Sequence, residues 1–263
     1  MPAESAEQAG RSGQELIDMA HGINPHHDTD SAGTPWSGRT LTAQPFPGDD
    51  GTADAALTAA LADGDLVAIT RAWAPTRVLV PIVAVLGDDD AELVASEGDK
   101  SSDMALVTLV GEDESRILPV FSSVAALLEW NPKARPVPVE AARAAQAAVV
   151  EECPRIVIDP AGAAVELPRP AVWAVAQGRD WLPPADDPEL LDGITALIGT
   201  VPEVKAHRCE PDGEAGLVVV LGLPPGLDRD QVRSTTTQVG ELLLTDQIVT
   251  ERTDSVRLAV RSV

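Results

Sequence analysis

Residues 117–130 place an apolar strand directly before a capped amphipathic helix, and this junction constrains the fold more than any other part of the chain. Ser122 and Ser123 stand where a hydroxyl group can accept hydrogen bonds from the free N–H groups of the first helical turn. Val124 and Leu127 follow at helical spacing, so one side of the predicted helix is apolar. A strand that continues into such a helix predicts a sheet on which the helix packs.

The region from residue 52 to residue 180 combines strand and helix patterns. Apolar runs predict strands at residues 66–70, 78–86, 104–110, 116–121, 155–158 and 163–167. Helical patterns cover residues 52–63, 124–130, 139–151 and 170–177. The proline-rich stretch 132–138 is interpreted as a connector. Together these patterns predict a first α+β domain.

A second pattern begins after a boundary at residues 178–185, which contain a tryptophan and two adjacent prolines. Asp187 can cap a helix that has Pro188 in its first turn. Strands are predicted at residues 204–209, 216–223 and 256–262, with a helix capped at Asp228 before the last strand. The order helix–strand–strand–helix–strand predicts a small sheet with two helices on one face.

Residues 1–51 are rich in Gly, Ser, Asp, Pro and His and poor in aliphatic side chains, which predicts a disordered acidic tail. Its histidines are His21, His26 and His27. Three histidines in such a tail do not predict a metal site. The predicted fold class is therefore α+β in two domains, 52–180 and 186–263, each a mixed or antiparallel sheet packed with helices.

The composition limits the classes of partner and the compartment. The chain of 263 residues has a formal net charge of −23, so nucleic acids and anionic membranes would repel it. No apolar run has the length of a membrane-spanning helix, and the N-terminus lacks the basic and apolar order of a signal peptide. Two cysteines, Cys153 and Cys209, are too few for a disulfide framework. We therefore expect a cytoplasmic protein.

The order Leu-Pro-x-Phe-Ser, then Ala-Leu, then Trp in the junction resembles the signature of the bacterial SseB family, named for enhanced serine sensitivity. The Asp-Pro-Ala-Gly turn at residues 159–162 is also similar to that family, and the resemblance covers about residues 52–180. The second domain is similar in layout to the C-terminal domain of many SseB proteins. Because the family has no established catalytic chemistry, the resemblance implies a fold and no catalytic residues. The signature residues are interpreted as core: Leu118, Phe121, Leu127 and Trp130.

The sequence contains no specific motif for catalysis, cofactor binding or metal binding. It has no phosphate-binding glycine loop, dinucleotide fingerprint, Gly-x-Ser-x-Gly elbow, His-Glu-x-x-His pair or Cys-x-x-Cys pair. Cys153 lies between two glutamates and Pro154, which does not favour a thiolate, so it is interpreted as a core residue. We therefore predict a protein that is not an enzyme and needs no cofactor.

One group of basic residues suggests a binding surface. Alternation along the strand at 204–209 puts Lys205 and His207 on one face, and alternation along the last strand puts Arg257 and Arg261 on the face away from the helices. If both strands join one sheet, these four side chains gather on its uncovered face. The alternatives are an ordinary solvated face, a docking face for an acidic segment of a partner or of the tail, and a catalytic site at His207.

The sequence thus predicts a non-catalytic cytoplasmic protein-interaction module with an unidentified protein partner. The alternative is an acidic immunity or inhibitor protein that neutralises a basic partner such as a toxin. A third hypothesis is a hydrolase or transferase that uses His207 with nearby acids.

Overall fold

The computed structural model describes residues 46–84, 94–95, 104–111 and 113–263. Residues 1–45 of the predicted tail, with its histidines, and most of residues 87–103 lie outside the described residues. Residues 46–263 form one compact unit. Its first residues form turns on the body of the protein: Arg77 Nη2 donates to Asp49 Oδ1 at 2.5 Å, and Val124 N donates to Gly51 O at 2.9 Å.

The larger sheet has seven strands in the described part of the chain: β1 Arg77–Ala84, β2 Val94–Ala95, β3 Met104–Val110, β4 Arg116–Val120, β5 Arg135–Glu140, β6 Arg155–Ile158 and β7 Val165–Leu167. Their order is β5-β1-β3-β4-β6-β7, and β2 pairs with β3. Strands β4 and β6 are parallel, and the other neighbours are antiparallel. The helices in this region are α1 Ala55–Asp63, α2 Leu66–Trp73, α3 Val124–Trp130, α4 Ala141–Val150 and α5 Arg169–Ala176. A mixed sheet packed with helices agrees with the predicted α+β class.

The strand predicted at residues 66–70 is wrong, because this segment begins helix α2. The Asp65 side chain accepts a hydrogen bond from Val67 N at 3.0 Å and so caps the first turn. Ile69 and Trp73, four residues apart, are both fully buried. Their spacing places them on one side of a helix, and the packing of that side decides the structure of a short apolar run.

The connector predicted at residues 132–138 is also wrong, because most of this stretch belongs to strand β5. Pro136 lies opposite Pro81 of β1, and Pro138 lies opposite Leu79. Leu79 exchanges both backbone hydrogen bonds with Phe121, at 2.8 and 2.9 Å, on the other side of β1. The Leu79–Pro138 pair is therefore not hydrogen-bonded, and the nitrogens of Pro136 and Pro138 point to the free edge of β5, where a sheet tolerates proline.

Three of the four signature residues lie in the core, as predicted, and Trp130 is half-buried against it. Leu118, Phe121 and Leu127 are fully buried, and the ring centroids of Phe121 and Trp130 lie 5.3 Å apart. Ser123 caps α3 through a hydrogen bond from Ala126 N to its Oγ at 3.1 Å. The junction therefore builds the interior beside the sheet.

Asp159 joins the ends of the two parallel strands. Its buried carboxylate accepts hydrogen bonds from Ser122 N at 2.8 Å and from Ser122 Oγ at 2.6 Å. Its own N–H donates to Val120 O at 2.9 Å. The two sequence features that resemble the SseB family, the junction and the Asp-Pro-Ala-Gly turn, therefore meet in the structure.

The smaller sheet contains β8 Ala206–Asp212, β9 Gly216–Leu223 and β10 Ser255–Ser262 in the order β10-β9-β8. Strand β9 is antiparallel to β8 and parallel to β10. A 3₁₀ turn at Pro184–Asp186 leads into α6 Pro188–Ile198, and α7 Arg229–Thr245 and α8 Gln247–Arg252 connect β9 to β10. The predicted order of elements is confirmed, and α8 is an addition to it.

The core under the smaller sheet is separate from the core of the larger sheet. Leu217, Val219 and Leu221 of β9 are fully buried in one cluster with Ile194 of α6 and Val239 of α7. Each sheet therefore has its own interior within one compact unit. The division into two domains stays a prediction.

Candidate functional site

The register of the smaller sheet places the four basic residues predicted to share a surface. Residues directly opposite each other in neighbouring strands have their side chains on the same face. His207 lies opposite Leu221, whose side chain is buried under the helices. Arg257 lies opposite Val218, and Arg261 lies opposite Gly222, so both arginines belong to the other face.

His207 faces the helices, which corrects the expectation that it joins Arg257 and Arg261. Its Nε2 lies 3.1 Å from Oγ1 of Thr195 on α6. Cys209, two residues further along β8, packs against the buried cluster of the same sheet. Alternation along a strand shows which side chains share a face, but the position of the helices decides which face is covered. The catalytic hypothesis placed His207 on the uncovered face, and the structure places it on the other face.

Lys205 also lies apart from the two arginines. It precedes β8, and its N–H donates to Gly222 O at 2.9 Å. Its side-chain Nζ donates to Pro202 O at 2.8 Å. The ammonium group therefore turns towards the loop before the strand, and two of the four predicted residues remain together.

The uncovered face of the smaller sheet consists of these residues: Ala206, Arg208, Glu210, Asp212, Gly216, Val218, Val220, Gly222, Ser255, Arg257, Ala259 and Arg261. Arg257 forms a two-pronged ion pair with Asp212, and this contact raises the pKa of Arg257. Arg208 pairs with Glu210 at 2.5 Å. Three arginines and two carboxylates share the face, so its local formal charge is +1, whereas the formal net charge of the chain is −23.

A cleft of about 520 Å³ lies between the two sheets and was not predicted. The turns after β3 and β8, the first residues of β6 and α5, and the residue before β10 contribute to its walls. Its charged lining residues are Asp113, Arg155, Glu166, Arg169, Glu214 and Asp254. Four carboxylates and two guanidinium groups therefore meet in one open space.

Arg155 organises one wall of the cleft. Its Nη1 donates to Glu166 Oε1 at 2.7 Å, and its Nη2 contacts Asp113 and the Ser115 hydroxyl. Hydrogen bonds from Ser115, with the charge of Arg155 as a further cause, hold the pKa of Asp113 below its usual value. The guanidinium therefore connects the β3–β4 turn to β7.

Arg169 connects the two sheets across the cleft. Its Nε donates to Asp254 Oδ1 at 3.2 Å, and its Nη2 donates to Thr250 O at 2.7 Å and to Thr253 O. Burial raises the pKa of Asp254, and Arg169 opposes that shift. Because Arg169 and Asp254 are 85 residues apart, the sequence held no local signal for this pair. The cleft residues described here serve to connect elements of the fold.

Cys153 lies in the core, as predicted from its neighbours. It is buried, and burial raises the pKa of its thiol. Within the described ranges, no group of three His, Cys, Asp or Glu side chains is arranged to hold a metal ion. In the same part of the chain, no helix has the length and apolar character required to cross a membrane.

The fold and its surfaces define an α+β protein with a strand–helix junction at its core and an uncovered sheet face. Residues 54–174 match the model of the SseB protein N-terminal domain. This match gives the chain an SseB-type N-terminal domain over these residues, which confirms the resemblance carried by the junction. The match ends before the smaller sheet, so an SseB-type C-terminal domain stays a prediction. No curated protein and no solved structure matches the chain.

Proposed function

We propose that this chain is a non-catalytic protein-interaction module and that its partner docks on the uncovered face of the smaller sheet. The observation that carries the proposal is the position of Arg257 and Arg261. Both are exposed on a face that the helices leave open, in a chain with a net charge of −23. The acidic chain as a whole would repel an acidic partner segment, whereas the two arginines on this face would attract it.

The polarity of the uncovered face supports docking. Val220 of the central strand is buried, and Val218 and Ala259 beside it are half-buried. Exposed arginines, Arg208 and Arg257, lie on the strands to either side. An apolar centre with a charged surround, rich in arginine, is typical of protein interfaces.

The ion pair of Arg257 is compatible with a partner's carboxylate. The Arg257 side chain is 67% exposed although it contacts Asp212. Exposed ion pairs are weak, since water screens both charges. A guanidinium group also has five N–H donors, so it can bind a second carboxylate beside the first.

A cytoplasmic location belongs to the same proposal. Both cysteines are free thiols, as is usual for a protein in a reducing compartment. The alternative of an acidic immunity or inhibitor protein depends on the net charge and stays a prediction.

The experiment compares proteins recovered with the tagged full chain, its R257E/R261E variant and an R71E/R143E control. Arg143 is a matched control because it is exposed and paired with Glu140 at 3.7 Å, much as Arg257 is paired with an acid. Arg71 is exposed on α2. We expect one or more proteins to be recovered by the wild type and the control and lost from the R257E/R261E variant. Identical profiles for all three folded proteins, checked by circular dichroism, would contradict the proposal.

A further inference from the structure

We infer that the partner binds as an added β-strand on the free edge of β10, beside the flank of α7, and that it is an extended segment with acidic side chains at alternate positions. This inference rests on the proposed function and specifies the geometry and chemistry of the partner.

Among the described residues no strand pairs with the outer side of β10, so this edge is open and its donors and acceptors are regularly placed. Strand β10 is the outer strand of its sheet and has eight residues without proline. Val263 N donates to Leu223 O at 3.0 Å and so continues the parallel ladder with β9. Because alternate residues bond to the same neighbour in a parallel ladder, the backbone N–H and C=O groups of Val256, Leu258 and Val260 turn to the open side.

Other outer strands in the described part of the chain are less suited to pairing. The free edge of β5 carries the nitrogens of Pro136 and Pro138, which cannot donate. Strand β7 has three residues, and β8 contains Pro211. The edge of β10 therefore offers the longest proline-free row of backbone groups among these strands.

The side of α7 that carries Gly240 and Leu244, called the α7 flank below, lies beside this edge. A Cβ on Gly240 would lie 3.7 Å from Leu258 Cδ1, so this side of the helix lies over β10. Leu244 follows one turn later on the same side, and its residue surface is 69% exposed. The buried side of α7, which includes Val239, points to the core instead.

No close contact with another described residue requires a glycine at position 240. Glycine in the middle of a helix weakens the helix relative to alanine. An alanine methyl group here would meet an ordinary van der Waals contact, so the neighbouring side chains leave room for it. The missing side chain allows the backbone or a small side chain of an added strand to approach α7.

The uncovered face on one side of the edge and the α7 flank on the other specify the occupant. One row of side chains on an added strand would lie beside Arg257 and Arg261, where acidic residues are favoured. The other row would lie against Gly240 and Leu244, where small or apolar residues fit. A second copy of β10 would instead bring two more arginines to the uncovered face, and like charges there disfavour self-pairing.

The test measures fluorescence anisotropy of a labelled synthetic peptide of about nine alternating Val and Glu residues, a length that matches a strand. The control peptide has Lys in place of Glu. Val260→Pro removes one outward N–H of the edge, and Val260→Ala trims the same exposed side chain but keeps that N–H. We expect Val260→Pro to weaken binding at least about tenfold and Val260→Ala less than about threefold.

A second pair of variants tests the α7 flank and does not alter β10. Gly240→Gln fills the flank of α7 with a side chain that favours helix formation. Gly193→Gln is the matched control, because this glycine of α6 has open space around it. We expect about a tenfold loss of affinity for Gly240→Gln and no loss for Gly193→Gln. This pair decides the result if Val260→Pro does not fold.

Three outcomes would overturn the inference. The first is unchanged affinity in both Val260→Pro and Gly240→Gln; if R257E/R261E still loses binding, the docking face stands and only strand addition fails. The second is no binding of the Glu peptide, or equal binding of the Lys peptide. The third is a dimer of the wild type, seen by sedimentation, that Val260→Pro abolishes, because a second copy then occupies the edge.

Discussion

Phe121→Ala tests whether the strand–helix junction is the structural centre of the larger sheet. Phe121 is fully buried in a cluster with Leu79, Leu127 and Ala134, and Trp130 packs against it. Its backbone also pairs with Leu79 of β1. The side chain therefore contacts both the sheet and the helix that follows it.

The expected loss follows from the buried area. An aromatic side chain buries about 150–250 Å², which at about 25 cal/mol per Å² corresponds to about 4–6 kcal/mol. Alanine keeps one methyl group, and a denatured chain is already partly compact, so the effective loss is smaller. The ring contact of Phe121 with Trp130, at 5.3 Å between centroids, is lost as well. We expect the free energy of unfolding to fall by about 4 kcal/mol.

Urea unfolding followed by tryptophan fluorescence and circular dichroism measures this loss. Leu128→Ala is the control, because Leu128 lies on the same helix but is 44% exposed, and we expect it to lower stability by less than about 1 kcal/mol. A loss below about 1 kcal/mol for Phe121→Ala would refute the assignment of the junction to the core.

Two further predictions concern charged groups. Asp187 caps α6 and pairs with Arg252 at 2.8 Å, so Asp187→Ala should lower the free energy of unfolding by about 2–3 kcal/mol in a urea titration. Asp187→Asn should lower it less, because the asparagine side chain keeps the cap. Equal losses for the two variants would contradict this prediction. Burial raises the pKa of Asp254 above its ordinary 3.8, so the folded protein binds this proton more tightly than the unfolded chain. The free energy of unfolding of the wild type, relative to that of Asp254→Asn, should therefore fall as the pH rises from 3.8 through the folded-state pKa. If the difference in unfolding free energy between the two proteins is independent of pH, this linkage is excluded.

The family match and the proposed interaction fall on different parts of the chain. Residues 54–174 carry the SseB N-terminal domain, whose signature residues build the interior. The proposed docking surface lies on the smaller sheet, where Arg257 and Arg261 belong to β10. A screen that varies only the signature residues would therefore report stability rather than partner binding.

Local patterns predicted the elements that have strong local signals. The Asp187-Pro188 start and the apolar stripe placed α6 correctly, and the run of apolar residues placed β9 at Gly216–Leu223. The failures at residues 66–70 and 132–138 have a common cause. A short apolar run fits a strand or a buried helix, and a proline-rich stretch fits a loop or a free sheet edge, so the neighbours in space decide between them.

The sequence by itself determined the junction, its capped helix, the order of elements in the smaller sheet and the acidic balance of the chain, because these depend on neighbouring residues and on composition. Only the tertiary structure decided that His207 turns to the helices while Arg257 stays exposed, and that Arg169 reaches Asp254 across 85 residues of chain. Periodicity specifies which side chains share a face, whereas the covered face and the distant partner are set by how the helices pack on the sheets.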